Sequence, residues 1–248
     1  MVLTSKKQAV VSALRRQMLE LEGFKQAGAS VSAGLGLGKI ETVFPGGVFP
    51  LNTVHEFVYD QPEELAASCG FIGGLLSYIM KKGGMCLWIN SSKGVFPPAA
   101  KMFGLEPDRI IFVSMRKQQD ILWALEEGLK CTGLCVVIAE IEHLDFVQSR
   151  RLQLAVEKSG VTGFVIRSGI KTLGATTCAA RWKIIPIASI IPDDLPGVGF
   201  PQWEVNLLKV KNGSPSQWVM GWKKGQFSLQ QAERPAGRTN QLITQEAG

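Results

Sequence analysis

Four cations fall close together late in the chain, Arg167, Lys171, Arg181 and Lys183, with no acid between the first and the last. Gly169 and Gly174 free the backbone between them, and Thr176 and Thr177 add hydroxyls. Such groups contact phosphate, so the stretch is a candidate for sequence-independent contact with DNA. A solvated loop followed by a basic strand has the same composition. Of the aromatics that single-strand binders stack on bases, only Trp182 is near, and strand alternation turns it toward the core. Lys209 and Lys211, with Lys223 and Lys224, form a second basic group on strands flanking Asn212-Gly213-Ser214-Pro215. Lysines so placed also guard edge strands against aggregation.

The opposite sign collects at Val58-Tyr59-Asp60-Gln61-Pro62-Glu63-Glu64-Leu65-Ala66-Ala67. This reads as a strand-to-helix turn, with Asp60 placed to cap the helix and Glu63 and Glu64 in its first turn. A phosphate loop needs glycines, a lysine and a Ser or Thr hydroxyl, and the turn has none of them. No nucleotide is expected there. Ser91-Ser92-Lys93 follows a strand, but nothing singles it out as a serine–lysine pair or supplies an oxyanion hole. Two histidines, His55 and His143, and five cysteines argue for reduced structural thiols and against a zinc site. No catalytic centre, metal or cofactor is expected, and the chain reads as a non-enzyme.

These residues need a scaffold, and 248 residues with 46% hydrophobic and 19% charged content can bury one. The net charge of +6 permits a polyanionic partner. The best apolar stretch, Cys69–Met80, is broken by glycines and followed by Lys81 and Lys82, so no membrane span is expected. Lys6 and Lys7 stand where a signal peptide would be apolar, which makes the expected location cytoplasmic.

Residues 1–27 read as an amphipathic helix whose seam is Val11, Leu14, Met18 and Leu21. So narrow a stripe suits docking on a partner surface or back onto its own domain. Residues 28–50 read as a linker and a turn, Gly-rich and then Pro-Gly-Gly. Residues 51–230 alternate continuous apolar strands (Met85–Asn90, Leu134–Ala139) with helices (Pro62–Lys82, Lys117–Lys130, Phe146–Lys158), which predicts a mainly parallel sheet covered on both faces. After Arg167 the helices stop, and Ala180–Ile187, Glu204–Lys211 and Gln217–Lys223 predict an antiparallel extension. Residues 231–248 are polar and aperiodic and are expected to be a disordered tail.

This order of elements resembles the RecA recombinase superfamily and, within it, the ImuA family of bacterial mutagenesis proteins, from about residue 4 to residue 227. The resemblance lies in the N-terminal helix, the Gly46-Gly47 turn, the strand holding Val54-His55-Glu56-Phe57, and the Ala180-Arg181-Trp182-Lys183 and Leu208-Lys209-Val210-Lys211-Asn212 strands. The resemblance puts Leu65 and Ala66 where recombinases have the lysine and threonine of the phosphate loop. It puts Ser92 at the catalytic glutamate and leaves Glu140 as a remnant near the metal-binding aspartate. Residues 167–177 fall where recombinases carry a DNA-binding loop. The N-terminal helix would drive self-association, and Lys209 and Lys211 would face a neighbour's Asp60, Glu63 and Glu64. The implied function is an accessory of damage-induced (SOS), error-prone translesion synthesis. It would be an adaptor joining an inactive Y-family-like polymerase subunit of the ImuB type and an error-prone replicative-type polymerase, with RecA and weakly held DNA as further partners. Two rivals share the degenerate fold: a SulA-like cell-division inhibitor and an unorthodox ATPase using Glu140.

Overall fold

The computed structural model describes residue 14 and residues 34–91, 97–169, 173–190 and 199–235. Among them, strands β1 (Val54–Tyr59), β2 (Met85–Asn90), β3 (Ile110–Ser114), β4 (Leu134–Ile141), β5 (Thr162–Ser168), β6 (Ala180–Ile190), β7 (Phe200–Val210), β8 (Ser216–Lys223) and β9 (Gln226–Pro235) form one sheet. Its order is β3-β2-β4-β5-β1-β6-β7-β8-β9. From β3 to β6 neighbours run parallel; from β6 to β9 they run antiparallel. The fold is therefore the expected α/β core with a C-terminal antiparallel extension.

Helices α1 (Pro62–Ile79), α2 (Gln118–Lys130) and α3 (Phe146–Ser159) cover the parallel part. Alternate strand residues feed two cores. Phe57, Trp88, Ile138, Phe164 and Trp182 pack under α1, while Val54, Ile89, Val137 and Val165 pack under α2 and α3. Gly73 of α1 allows a close approach: a Cβ there would lie 2.9 Å from the ring of Phe103. α3 starts with a full capping box, in which the Asp145 carboxylate accepts from the Gln148 N–H at 2.7 Å. It ends on Gly160 at φ 75°. The predicted turn after β7 holds Asn212 at φ 60°.

Two boundaries differ from the sequence reading. Leu35, Leu37, Ile40, Phe44 and Phe49 are buried in the larger core, so the end of the 28–50 segment is part of the domain. Gly36 and Gly38, at φ 73° and 59°, turn the chain so that both leucines point inward. β9 pairs with β8 as far as Ser216↔Pro235, so residues 231–235 complete the sheet. Residues 236–248, and residues 1–27 apart from Leu14, lie outside the described residues. No helix among the described residues is long and apolar enough to cross a membrane.

Candidate functional site

In an open parallel sheet, ligands bind beyond the carboxyl ends of the strands, here where β1 runs into α1 and β4 and β5 end nearby. Pro62 occupies the first helical position and Gln61 the cap, without a side-chain cap bond. Asp60 is thus one residue too early to cap α1, contrary to the sequence reading. Glu64 instead reaches back, its Oε2 accepting from the Asp60 N–H at 2.8 Å.

Two of the carboxylates of this turn, Asp60 and Glu64, are matched from within the chain, while Glu63 lines a neighbouring pocket. Lys183 on β6 places Nζ 3.0 Å from Glu64 Oε1 and 3.3 Å from Asp60 Oδ2. Burial works against the ammonium, but the hydrogen bonds and charges of Glu64 and Asp60 outweigh it and hold its pKa above the usual lysine value. Where a phosphate loop would offer N–H groups and a lysine, this turn offers an internally closed ion-pair triad. Leu65 and Ala66 line, with Pro62, Cys69 and Trp88, a cavity of about 220 Å³ that ends at Glu140. Tyr59 donates its hydroxyl to Glu140 Oε1 at 3.3 Å. Burial and then the Glu140 charge push the Tyr59 pKa up to about 12. A magnesium–triphosphate does not fit this chemistry: carboxylates and apolar side chains stand where phosphate oxygens would need donors. Among the described residues no His, Cys, Asp and Glu cluster could hold a metal ion.

Three of the four cations assigned to DNA contact are placed differently from expectation. Arg167 is a strand residue of β5, 1% exposed, and donates from Nη1 to Glu56 Oε1 at 3.1 Å and to the Leu144 carbonyl at 3.0 Å. Arg181 donates from Nε to Glu56 Oε2 at 2.7 Å, which also accepts from the Thr176 hydroxyl at 3.2 Å. Lys183 belongs to the triad above. Lys171 lies outside the described residues. The acid missing from the local sequence is supplied by Glu56 and the α1 turn, more than 100 positions away. These three cations hold the fold together and do not form a free phosphate-binding loop.

Sequence reasoning missed Glu56, which is 0% exposed in the middle of β1. A carboxylate inside the apolar run Val54–Val58 was the available signal, because a buried charge demands a partner. Lys209 extends the same network, its Nζ donating to the Thr176 carbonyl at 2.7 Å. Lys211 donates its backbone N–H to the Ala179 carbonyl. The expected single basic group is split along the hairpin: Lys209 lies opposite Arg181, whereas Lys223 sits at the far end, 5.1 Å from the Phe200 ring centre. Ser92 and the seam residues Val11, Met18 and Leu21 lie outside the described residues. Leu14 is helical and 54% exposed.

No family model matches the chain. In three dimensions it is similar to the crystal structure of the RadB recombinase, with a TM-score of 0.53 and 11% identity over 78% of this chain and 97% of that one. The likeness is one of fold. In sequence it is 33% identical over 193 residues to protein ImuA of Caulobacter vibrioides, in each of two strains, covering 73% of this chain and 79% of the relative. With a RecA-like sheet and this extent of identity over most of both chains, the chain belongs to the ImuA family.

Proposed function

We propose that the chain is a non-enzymatic adaptor in damage-induced, error-prone DNA synthesis, bringing together an inactive Y-family-like polymerase subunit, an error-prone replicative-type polymerase and RecA. Family membership supports a role in damage-induced mutagenesis; the partners are part of this proposal. The observation that carries the adaptor reading is the Lys183–Asp60–Glu64 triad, which commits the lysine beside the β1–α1 turn to internal carboxylates. Isothermal titration with ATP and magnesium is expected to show no binding. Saturable binding, with turnover lost in Glu140→Ala, would establish the rival ATPase. Pull-down from damaged cells is expected to recover polymerase subunits; recovery of the division GTPase instead would establish the SulA-like rival. Arg167, Arg181 and Lys183 are committed to internal carboxylates, so this reading rests on protein partners and not on direct DNA contact.

The N-terminal helix is the proposed docking element, since the Leu14 side chain stands 54% exposed. Leu14→Glu with Met18→Glu places two charges in the seam, and burying an unpaired charge costs several kcal/mol. Polymerase capture is expected to be lost while the melting temperature is unchanged. Retained capture, or a core that unfolds, would return the helix to its own domain.

A further inference from the structure

We infer that the outer face of α2 and α3 is a self-association surface, on which a second copy of the chain packs about a two-fold axis. A helix that meets its sheet along one stripe is normally polar on the other side. α2 buries Ile121, Leu125 and Leu129 against the sheet yet presents Trp123 to solvent at 64% exposure. α3 buries Leu152 and Val156 yet presents Phe146, Val147 and Leu154 at 56%, 67% and 42%. Four large apolar side chains on two adjacent helices exceed the scattered apolar residues of an ordinary surface.

Three of them sit around one junction, and Phe146 stands at the start of α3. Arg151 of α3 donates to Glu126 of α2 at 2.6 Å, which fixes the two helices side by side. Trp123 precedes Glu126 by three positions; Val147 and Leu154 are four before and three after Arg151. Residues so spaced share a helix face, so the apolar groups flank the ion pair. A groove of about 400 Å³ runs along the seam between the helices, bordered by Leu154 and Lys158 on one side and Lys130 on the other.

The charges say what covers this face. α2 carries Asp120, Glu126 and Glu127 against one cation, Lys130, and is net acidic. α3 carries Arg150, Arg151 and Lys158 against one acid, Glu157, and is net basic. A partner of uniform sign would match one helix and repel the other. A second copy related by a two-fold axis lays α2 on the partner's α3 in both halves, so acid meets base twice around an apolar centre. This surface lies on the opposite side of the sheet from α1.

The test is sedimentation equilibrium of the full chain over a wide concentration range, done also in the Leu14→Glu, Met18→Glu background. A dimer is expected in both. Trp123→Ser and Val147→Asp, each at an exposed position, are expected to weaken it at least about tenfold with an unchanged melting temperature. Glu127→Arg is expected to weaken it, and addition of Arg150→Glu to recover it in part. A monomer at every concentration, association indifferent to both apolar substitutions, a dimer lost with the N-terminal helix variant, or no recovery in the charge-swapped pair would each overturn the proposal.

Discussion

Glu56→Ala is expected to remove about 3–5 kcal/mol of unfolding free energy, the range for breaking one side of a buried ion pair. Glu56 is fully buried and holds two guanidinium groups, at 3.1 Å from Arg167 and 2.7 Å from Arg181. Arginine cannot shed its proton to escape burial. With the carboxylate gone, Arg167, 1% exposed, keeps only the Leu144 carbonyl among the described residues, whereas Arg181, 12% exposed at its side chain, can turn toward water. Arg167→Ala is therefore expected to cost nearly as much as Glu56→Ala, and Arg181→Ala distinctly less, because it leaves the Glu56–Arg167 pair whole. Glu56→Leu combined with Arg167→Met removes both charges and is expected to cost far less than the two single changes added together. Urea unfolding of these four variants, with Glu56→Leu and Arg167→Met alone to close the cycle, measures this through midpoint and slope. A Glu56→Ala loss below about 1 kcal/mol, or strict additivity of the pair, would mean that the network is not what secures β1 to β5 and β6. On a total stability of about 5–15 kcal/mol, such losses also lower every binding signal, so a DNA-binding defect in an Arg167 variant reports folding first.

The parallel half of the fold was legible because strands covered on both faces are written as unbroken apolar runs. Residues 85–89 and 134–139 carry no polar alternation to confuse with a half-exposed strand. β9 was not legible: it is an edge strand of mostly polar residues whose anchor, Phe227, is a single buried aromatic against α1 and Trp222. Glycine content hid the buried leucines at positions 35 and 37, since composition alone scores a Gly-rich segment as linker. The missing phosphate loop could be read directly, as an absence of residue types within ten consecutive positions. What replaces it could not. Lys183 and the Asp60–Glu64 turn are each visible in the sequence as part of a charge cluster, one with the composition of a DNA contact and the other with that of a helix start. Only the parallel pairing of β1 with β6 brings the end of β1 beside Lys183 and lets the two clusters neutralise each other. The same pairing places Arg181 on the register partner of Glu56. Charges separated by more than 100 positions carry no local periodicity, so their partnership is a property of topology.

That topology also buries a titrating group, and it predicts acid lability. His55 on β1 is stacked on Phe49 at 4.4 Å between ring centres. Its Nε2 lies 2.7 Å from the Pro50 carbonyl, and the Trp182 Nε1–H points at its Nδ1 at 3.4 Å. The two contacts fix the tautomer: Nε2 carries the proton and donates, and Nδ1 accepts. Protonating Nδ1 would set a donor against the indole donor inside a dry core. Burial lowers the His55 pKa to about 4, with the Pro50 hydrogen bond acting in the opposite direction. The unfolded chain, with a histidine pKa near 6.5, binds the proton first, so stability is complete above about pH 6.5 and falls as the pH drops toward 4. The loss over that window amounts to about 3 kcal/mol. Glu41 runs the other way: burial raises its pKa, so its share of stability grows as the solution is acidified. Urea unfolding at several pH values between 7 and 4, for the wild-type chain and for His55→Gln, separates these contributions, because the amide keeps a donor and an acceptor and does not titrate. The wild-type stability is expected to fall more steeply than that of His55→Gln, and the two curves to run parallel above about pH 6.5. Curves that stay parallel down to pH 4 would show that the ring is already solvated in the native state and that the Phe49–His55–Trp182 stack does not exclude water.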